Sequence, residues 1–168
     1  LHAQATLAAV APNQVGKIQV AIESGDCKQY GPVEAKLYVV LNGKEDLSET
    51  FRIYVTANIL EDFSKLSVSE LQQAPICELN EKIDLGTIPA GKKVKKAISM
   101  KNAGMNQLLV RRVYASDKDI KSGKKGDIAL TINTADLKPG QQYDRVINVI
   151  VNDPKNPIRT VNAHFTVE

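Results

Sequence analysis

The sequence predicts an all-β protein built of tandem β-sandwich domains, the first of them lacking its opening strands. Three observations carry that reading. Apolar and polar residues alternate with a period of two through short runs along the whole chain, as strands with one dry and one wet face require. Gly, Pro, Asn and Asp interrupt those runs at close intervals, the punctuation of turns between short strands. The pattern also repeats. A shift of 110 residues lays Gly16 on Gly126, Ile18 on Ile128, Ile22 on Ile132, Val39 on Val149, Asn42 on Asn152 and Val55 on Phe165. No gap is needed from residue 16 to residue 58, so two copies of one β module follow each other.

In the first copy, Gly16-Lys-Ile18-Gln-Val20-Ala-Ile22, Leu37-Tyr-Val39-Val-Leu41 and Phe51-Arg-Ile53-Tyr-Val55 read as strands. The second copy opens with Lys82-Ile-Asp-Leu-Gly-Thr-Ile88, Val94 to Met100 and Leu108 to Val113. It continues through Ile128-Ala-Leu130-Thr-Ile132 and Val149-Ile-Val151 to Val161-Asn-Ala163-His-Phe165-Thr-Val167. Residues 1–58 match 111–168, and nothing matches 82–110. A sandwich without its early strands leaves an unpaired edge and an open core. The expectation is therefore that the gene product begins before Leu1, in keeping with the absence of a starting methionine; completion by a strand of another chain is the alternative.

The expected domains are a partial sandwich over 1–59, a semi-rigid linker over 60–81 and a complete sandwich over 82–168. Within the linker, Ser67 and Glu70 have capping-box spacing and Pro75 ends the run, which predicts a helical turn near 67–73. Phe63 and Leu66 are expected to pack against a flanking domain. About seven short strands per copy, with regularly spaced turns, is the immunoglobulin-like pattern.

Composition narrows the function. The chain has 168 residues, 43% hydrophobic, 24% charged and 5% aromatic, which argues against disorder, collagen and coiled coil. No apolar run approaches the roughly 18–20 residues of a membrane helix. Net charge is only +3, but residues 1–77 carry −3 and residues 78–168 carry +6, so the two parts have different surfaces. Lys92, Lys93, Lys95, Lys96 and Lys101 cluster, with Lys121, Lys124 and Lys125 following. An anionic partner such as a glycan, a lipid headgroup or nucleic acid would suit them. No aromatic ring interleaves with them, as a nucleic-acid platform needs, and a solvated strand face is the preferred reading. Lys96 shares its face with Val94, Ile98 and Met100, an inward charge of the kind that protects a sheet edge.

The sequence offers no catalytic, cofactor-binding or metal-binding set, and the ligand-binding residues stay unassigned. His2 and His164 lack a nucleophilic context, and His164 reads as an outward strand residue. Asp117 and Asp119 form an acidic pair of the kind any sandwich loop offers, without further oxygen ligands at calcium spacing. Gly123-Lys-Lys-Gly126, Pro139-Gly140, Asn102-Ala-Gly104 and Asn152-Asp-Pro154 read as turns rather than phosphate loops. Leu1-His-Ala3-Gln-Ala5 has small-x-small spacing without the regions a signal peptide requires. Cys27 and Cys77 have no counterparts in the other copy, which leaves a bridge and two free thiols both open. No enzyme is expected.

Ile83-Asp-Leu-Gly-Thr-Ile88, Gly91-Lys-Lys-Val94, Ile98-Ser-Met-Lys-Asn102-Ala-Gly104, Leu108-Leu-Val110 and Val149-Ile-Val-Asn152-Asp-Pro154 together resemble the bacterial family called domain of unknown function 1573. The resemblance covers nearly all of residues 82–168 and, more weakly, 7–58. It implies immunoglobulin-like sandwiches in proteins exported by gram-negative bacteria, to the periplasm or cell surface. Family members commonly carry Cys-Gly-Cys after the "L-x-I-x-x-V" strand, where this chain has Val113-Tyr-Ala-Ser-Asp117 and, in copy one, Leu7-Ala-Ala-Val10, so no thiol or metal role carries over. The resulting expectation is a non-enzymatic cell-envelope structural or protein-interaction module, without cofactor. Its expected partner is another envelope protein, engaged by edge-strand addition. A carbohydrate-binding or adhesin-like module is the second reading, weakened because the second copy's rings are few: Tyr114, Tyr143 and Phe165.

Overall fold

The computed structural model describes residues 2–5, 9–45, 47–122 and 129–168. The fold is all-β, with one short helix. It divides after Ile59 into two compact units, 1–59 and 60–168. Among the described residues no helix is long and apolar enough to cross a membrane. Ile128, Lys124, Lys125 and the Gly123–Gly126 turn of the sequence reading lie outside the described residues, as does Leu7.

The first unit holds β1 (His2–Ala5), β2 (Ile18–Ala21), β3 (Gly31–Tyr38), β4 (Val40–Leu41), β5 (Lys44–Glu45) and β6 (Arg52–Ile59). They pair as three two-stranded antiparallel ribbons, β1–β2, β3–β6 and β4–β5. Asn42 and Gly43 both have positive φ, 52° and 72°, the geometry of the tight turn that joins twisted strands directly. It closes the β4–β5 hairpin.

The second unit opens with α1 (Val68–Gln73) and continues as β7 (Cys77–Leu79), β8 (Lys82–Ile88), β9 (Lys93–Ala97), β10 (Met100–Asn102) and β11 (Val110–Ala115). It ends with β12 (Ile120–Ser122), β13 (Ala129–Asn133), β14 (Gln142–Val151) and β15 (Ile158–Val167). One sheet has the order β11-β14-β15-β8, the other β12-β13-β9, and β7 pairs with β10. Inward residues of the sheets share one core: Ile88, Leu130, Ile132, Ile147, Val161 and Phe165 are each at most 1% exposed. Burying one such side chain contributes about 1.5–3 kcal/mol. Lys96 lies half-buried on the β9 edge opposite Leu130, the inward charge of the sequence reading.

The Ile83–Ile88 motif has a mechanical explanation. β15 pairs with β8 in parallel, and between His164 and Thr166 the β8 partner advances from Asp84 to Thr87. That extra residue is a bulge. Gly86 takes φ +70°, and the Asp84 carboxylate accepts its N–H at 2.8 Å. The bulge turns both Leu85 and Ile88 inward, 8% and 0% exposed, although they lie three residues apart.

Residues 60–81 differ from the expected linker, because they are carried by the second unit. Ser67 caps α1, its hydroxyl accepting the Glu70 N–H while Glu70 accepts the Ser67 N–H at 2.8 Å. The Ser67 hydroxyl, donating to the Glu70 carboxylate at 2.7 Å, and then the Ser67 N–H hold that carboxyl below its ordinary range, so this contribution is present at neutral pH and lost as pH falls through the lowered pKa. Beyond the helix, Glu61 receives two bonds from Arg111, both 2.9 Å. The Cys77 N–H donates to Asp153 Oδ2 at 3.0 Å, and Asp153 Oδ1 accepts from Lys155 N–H at 2.9 Å. Asn102 Oδ1 accepts from the N–H groups of Ile76, at 3.3 Å, and Gly104, at 2.9 Å. Backbone polar groups must find partners when water is excluded, and here side chains of the Asn102 and Asp153 turns supply them.

Two substitutions probe this stitching. A Cβ at Gly104 would lie 2.2 Å from the Ala74 carbonyl oxygen and 2.6 Å from Ile76 N. Gly104→Ala is therefore expected to destabilise the second unit by about 1–3 kcal/mol. Asp153→Ala strips the buried Cys77 N–H of its acceptor and is expected to cost about 1–3 kcal/mol. Urea unfolding followed by circular dichroism measures both.

Candidate interaction surface

The β3–β6 ribbon has two chemically distinct faces. Direct pairs Leu37–Ile53, Ala35–Val55 and Val33–Ala57 put a run of apolar side chains on one side. All six are only half-buried, whereas inward residues of β14 and β15 such as Ile147 and Phe165 are fully buried. Among the described residues, the first unit thus presents an apolar sheet face without a closed core.

The edges of the ribbon follow from its hydrogen bonds. Val39 N–H donates to the Phe51 carbonyl at 2.8 Å, which makes odd-numbered residues of β6 the bonded partners of β3. The N–H and C=O groups of Arg52, Tyr54, Thr56 and Asn58 consequently point away from β3. Among the described residues, no strand meets that edge. The opposite edge is blunted: Pro32 sits at an outward position of β3 and has no N–H to offer.

On the polar face, Tyr38 and Tyr54 are 41% and 47% exposed. The Arg52 guanidinium lies over both rings, 5.3 and 5.9 Å from their centroids, and Lys36 lies 5.3 Å from that of Tyr54. Arg52 donates to the Tyr54 hydroxyl and the Leu47 carbonyl, both at 3.0 Å, and pairs with Glu49. The Tyr54 hydroxyl and then Glu49 favour its charged form against partial desolvation. Sequence reasoning missed this cluster, although Tyr38, Arg52 and Tyr54 occupy the polar positions of two alternating strands.

The residues singled out in sequence have partners of their own. Arg145 Nε is 2.9 Å from Asp119 and 3.5 Å from Asp117, so a guanidinium sits against the acidic pair. His164 faces outward and meets Asp144 at 2.9 Å across the β14–β15 pair. His2 lies 3.4 Å from Glu23. Tyr143 stacks on Phe165 with centroids 5.7 Å apart, and Arg112 covers Tyr114 at 5.4 Å. Lys121 and Lys95 both flank Thr131 across three strands, a basic outer face of the smaller sheet. An open groove of about 530 Å³ beside β7 includes Lys101 and Arg159, which pair with Glu78 at 3.6 Å and Glu81 at 3.5 Å. Among the described residues, no three His, Cys, Asp or Glu side chains group as a metal site would need.

No protein-family model matches the chain, and neither does any curated protein. Its fold is similar to that of a protein of unknown function from Porphyromonas gingivalis W83, with a TM-score of 0.63 and 18% identity. That similarity covers 98% of this chain and 84% of the other. A nucleoside hydrolase-related hypothetical protein from Saccharophagus degradans, associated with carbohydrate metabolism, aligns over 56% of this chain and 25% of its own, with 10% identity and a TM-score of 0.37.

Both thiols are free. Cys27 is half-buried, whereas Cys77 is 2% exposed and desolvation raises its pKa. Burial and a raised pKa both suppress thiolate reactivity. A thiol reagent at neutral pH is expected to modify Cys27 quickly and Cys77 only after denaturation, with mass spectrometry locating each adduct.

Proposed function

We propose that this chain is a non-enzymatic interaction module of a bacterial cell envelope, built of tandem immunoglobulin-like domains, that engages another protein by strand addition at the first unit. The observation that carries this reading is the open β6 edge, beside an apolar sheet face that is only half-buried. Strand addition satisfies such an edge with main-chain hydrogen bonds and covers alternate apolar side chains. The recurrence of inward positions supports the tandem reading: Val33, Ala35 and Leu37 of β3 fall 110 residues before Tyr143, Arg145 and Ile147, inward positions of β14. The motif resemblance supports export to the periplasm or surface of a gram-negative bacterium. The engagement of Asp117 and Asp119 by Arg145 supports a non-enzymatic role.

A carbohydrate-binding module is the second reading, and Tyr38 and Tyr54 favour it. Sugar rings stack on exposed aromatic faces, but here Arg52 and Lys36 already lie over these rings. That competition places the protein reading first.

A photo-crosslinking residue at Asn58 separates the two in living cells. One discrete protein adduct, lost in Thr56→Pro, is the expected result. Absence of any adduct, together with glycan-array binding abolished by Tyr54→Ala, would replace it with the carbohydrate reading.

A further inference from the structure

We propose that the outer face of the smaller sheet in the second unit binds a linear acidic polysaccharide, which it recognises by charge. This goes beyond the strand-addition reading, concerns a different unit and does not depend on it.

The face is made by β9, β13 and β12. Val94, Leu130, Ile132 and Ile120 turn inward to the core, so alternation sends Lys93, Lys95, Thr131, Asn133 and Lys121 outward. Strand register sets Lys95, Thr131 and Lys121 in one row across the sheet, with Lys93 beside Asn133 in the next. Sheet spacing then puts Lys95 about 10 Å from Lys121 and about 7 Å from Lys93. All three lysines are exposed.

The charge of this face has one sign. β9, β12 and β13 contain no acidic residue. Among the described residues, Lys93, Lys95 and Lys121 have no carboxylate partner, whereas Lys101, Arg111, Arg145 and Arg159 of the same unit each lie against one. Ammonium groups within about one Debye length repel each other. Folding does not require that repulsion, since the inward Lys96 already guards the β9 edge. An anion laid along the row relieves it.

The chemistry of the face selects the anion. Lysine is a point charge without the planar fork that grips a single phosphate or carboxylate in two places, so the row suits repeated charges rather than one small ion. The three strands carry no ring to stack a base, as single-stranded nucleic acid needs. Their large apolar side chains turn inward, which leaves none on the face to enter a bilayer. A linear acidic polysaccharide needs neither. Its charges recur along an extended chain and meet several lysines at once, and its hydroxyls suit the polar Thr131 and Asn133 between them.

The test uses the full chain and polygalacturonate, with neutral dextran as control, in titration calorimetry. Binding to polygalacturonate and not to dextran is expected, weakening about tenfold or more between about 50 and 200 mM salt. Replacing Lys93, Lys95 and Lys121 together by Gln is expected to weaken binding at least about tenfold. Circular dichroism should stay unchanged, because exposed substitutions barely alter stability. A charge-matched control, Lys82→Gln with Lys138→Gln and Lys155→Gln, removes three exposed lysines from elsewhere in the unit and is expected to bind within about twofold of the unaltered chain. Equal losses in the two triple variants would overturn the proposal, since net charge would then be responsible. Absence of binding at the lower salt would do so as well, and so would loss of binding in Tyr54→Ala, which would move the site to the first unit. Phosphatidylglycerol vesicles and a DNA duplex complete the test. Either one binding more tightly per charge than polygalacturonate, through the same three lysines, would assign the face to a membrane or to nucleic acid instead. The Asn58 crosslink reports on β6 alone, so this inference and the strand-addition reading stand or fall separately.

Discussion

Strand β15 is hydrogen-bonded along both edges, to β14 on one side and to β8 on the other, and the second unit depends on this arrangement. With both edges satisfied, its inward side chains Val161, Ala163, Phe165 and Val167 reach full burial. The parallel partner is what closes the structure, because β8 brings Leu85 and Ile88 over the same core. Edge satisfaction and core closure are thus one event: the strand that supplies the last hydrogen bonds also supplies the last apolar side chains.

The first unit shows what the same alternation achieves without that partner. Ile53, Val55 and Ala57 stay half-buried, and Val15, Ile18, Val40 and Leu47 are exposed. Pairing is also less constrained there. At the 110-residue offset, β1 corresponds to residues 112–115 of β11, which pair with β14; yet β1 pairs with β2 rather than with β3. Both β1 and β2 are exposed throughout. A strand without a buried face has little to specify its neighbour or its register.

Several charges of the second unit hold its fold together. Arg145 gathers Asp117 and Asp119, Arg111 anchors Glu61, and Asp153 serves backbone N–H groups at 1% exposure. A buried carboxylate is tolerated only where donors surround it. The basic surplus of the second unit remains on outward positions such as Lys95 and Lys121, where water solvates it. The turn motifs have a similar structural purpose: Asn102, Gly104 and Asp153 hold the segment between Ala74 and Cys77 against the second unit.

Much of the fold was legible from alternation and punctuation. Lys82–Ile88 coincides with β8, the Ser67–Glu70 box with the capped helix α1, and Val161–Val167 with the core of β15, because period and cap chemistry are local properties. The attachment of residues 60–81 to the second unit was not legible: its bonds join Glu61 to Arg111 and Cys77 to Asp153, across 50 and 76 residues. The candidate surface was equally hidden. The repeat arithmetic foresees an unpaired edge in the first copy, but not that it falls on β6, which has no second neighbour among the described residues, nor that Tyr38 and Tyr54 flank Arg52. The sequence by itself determined which residues form strands, which faces are apolar and where turns fall, since these depend on neighbours a few positions away. Only the tertiary structure decided which strand edges are satisfied and which stand open, because hydrogen-bond pairing between strands is a long-range choice that no local pattern encodes.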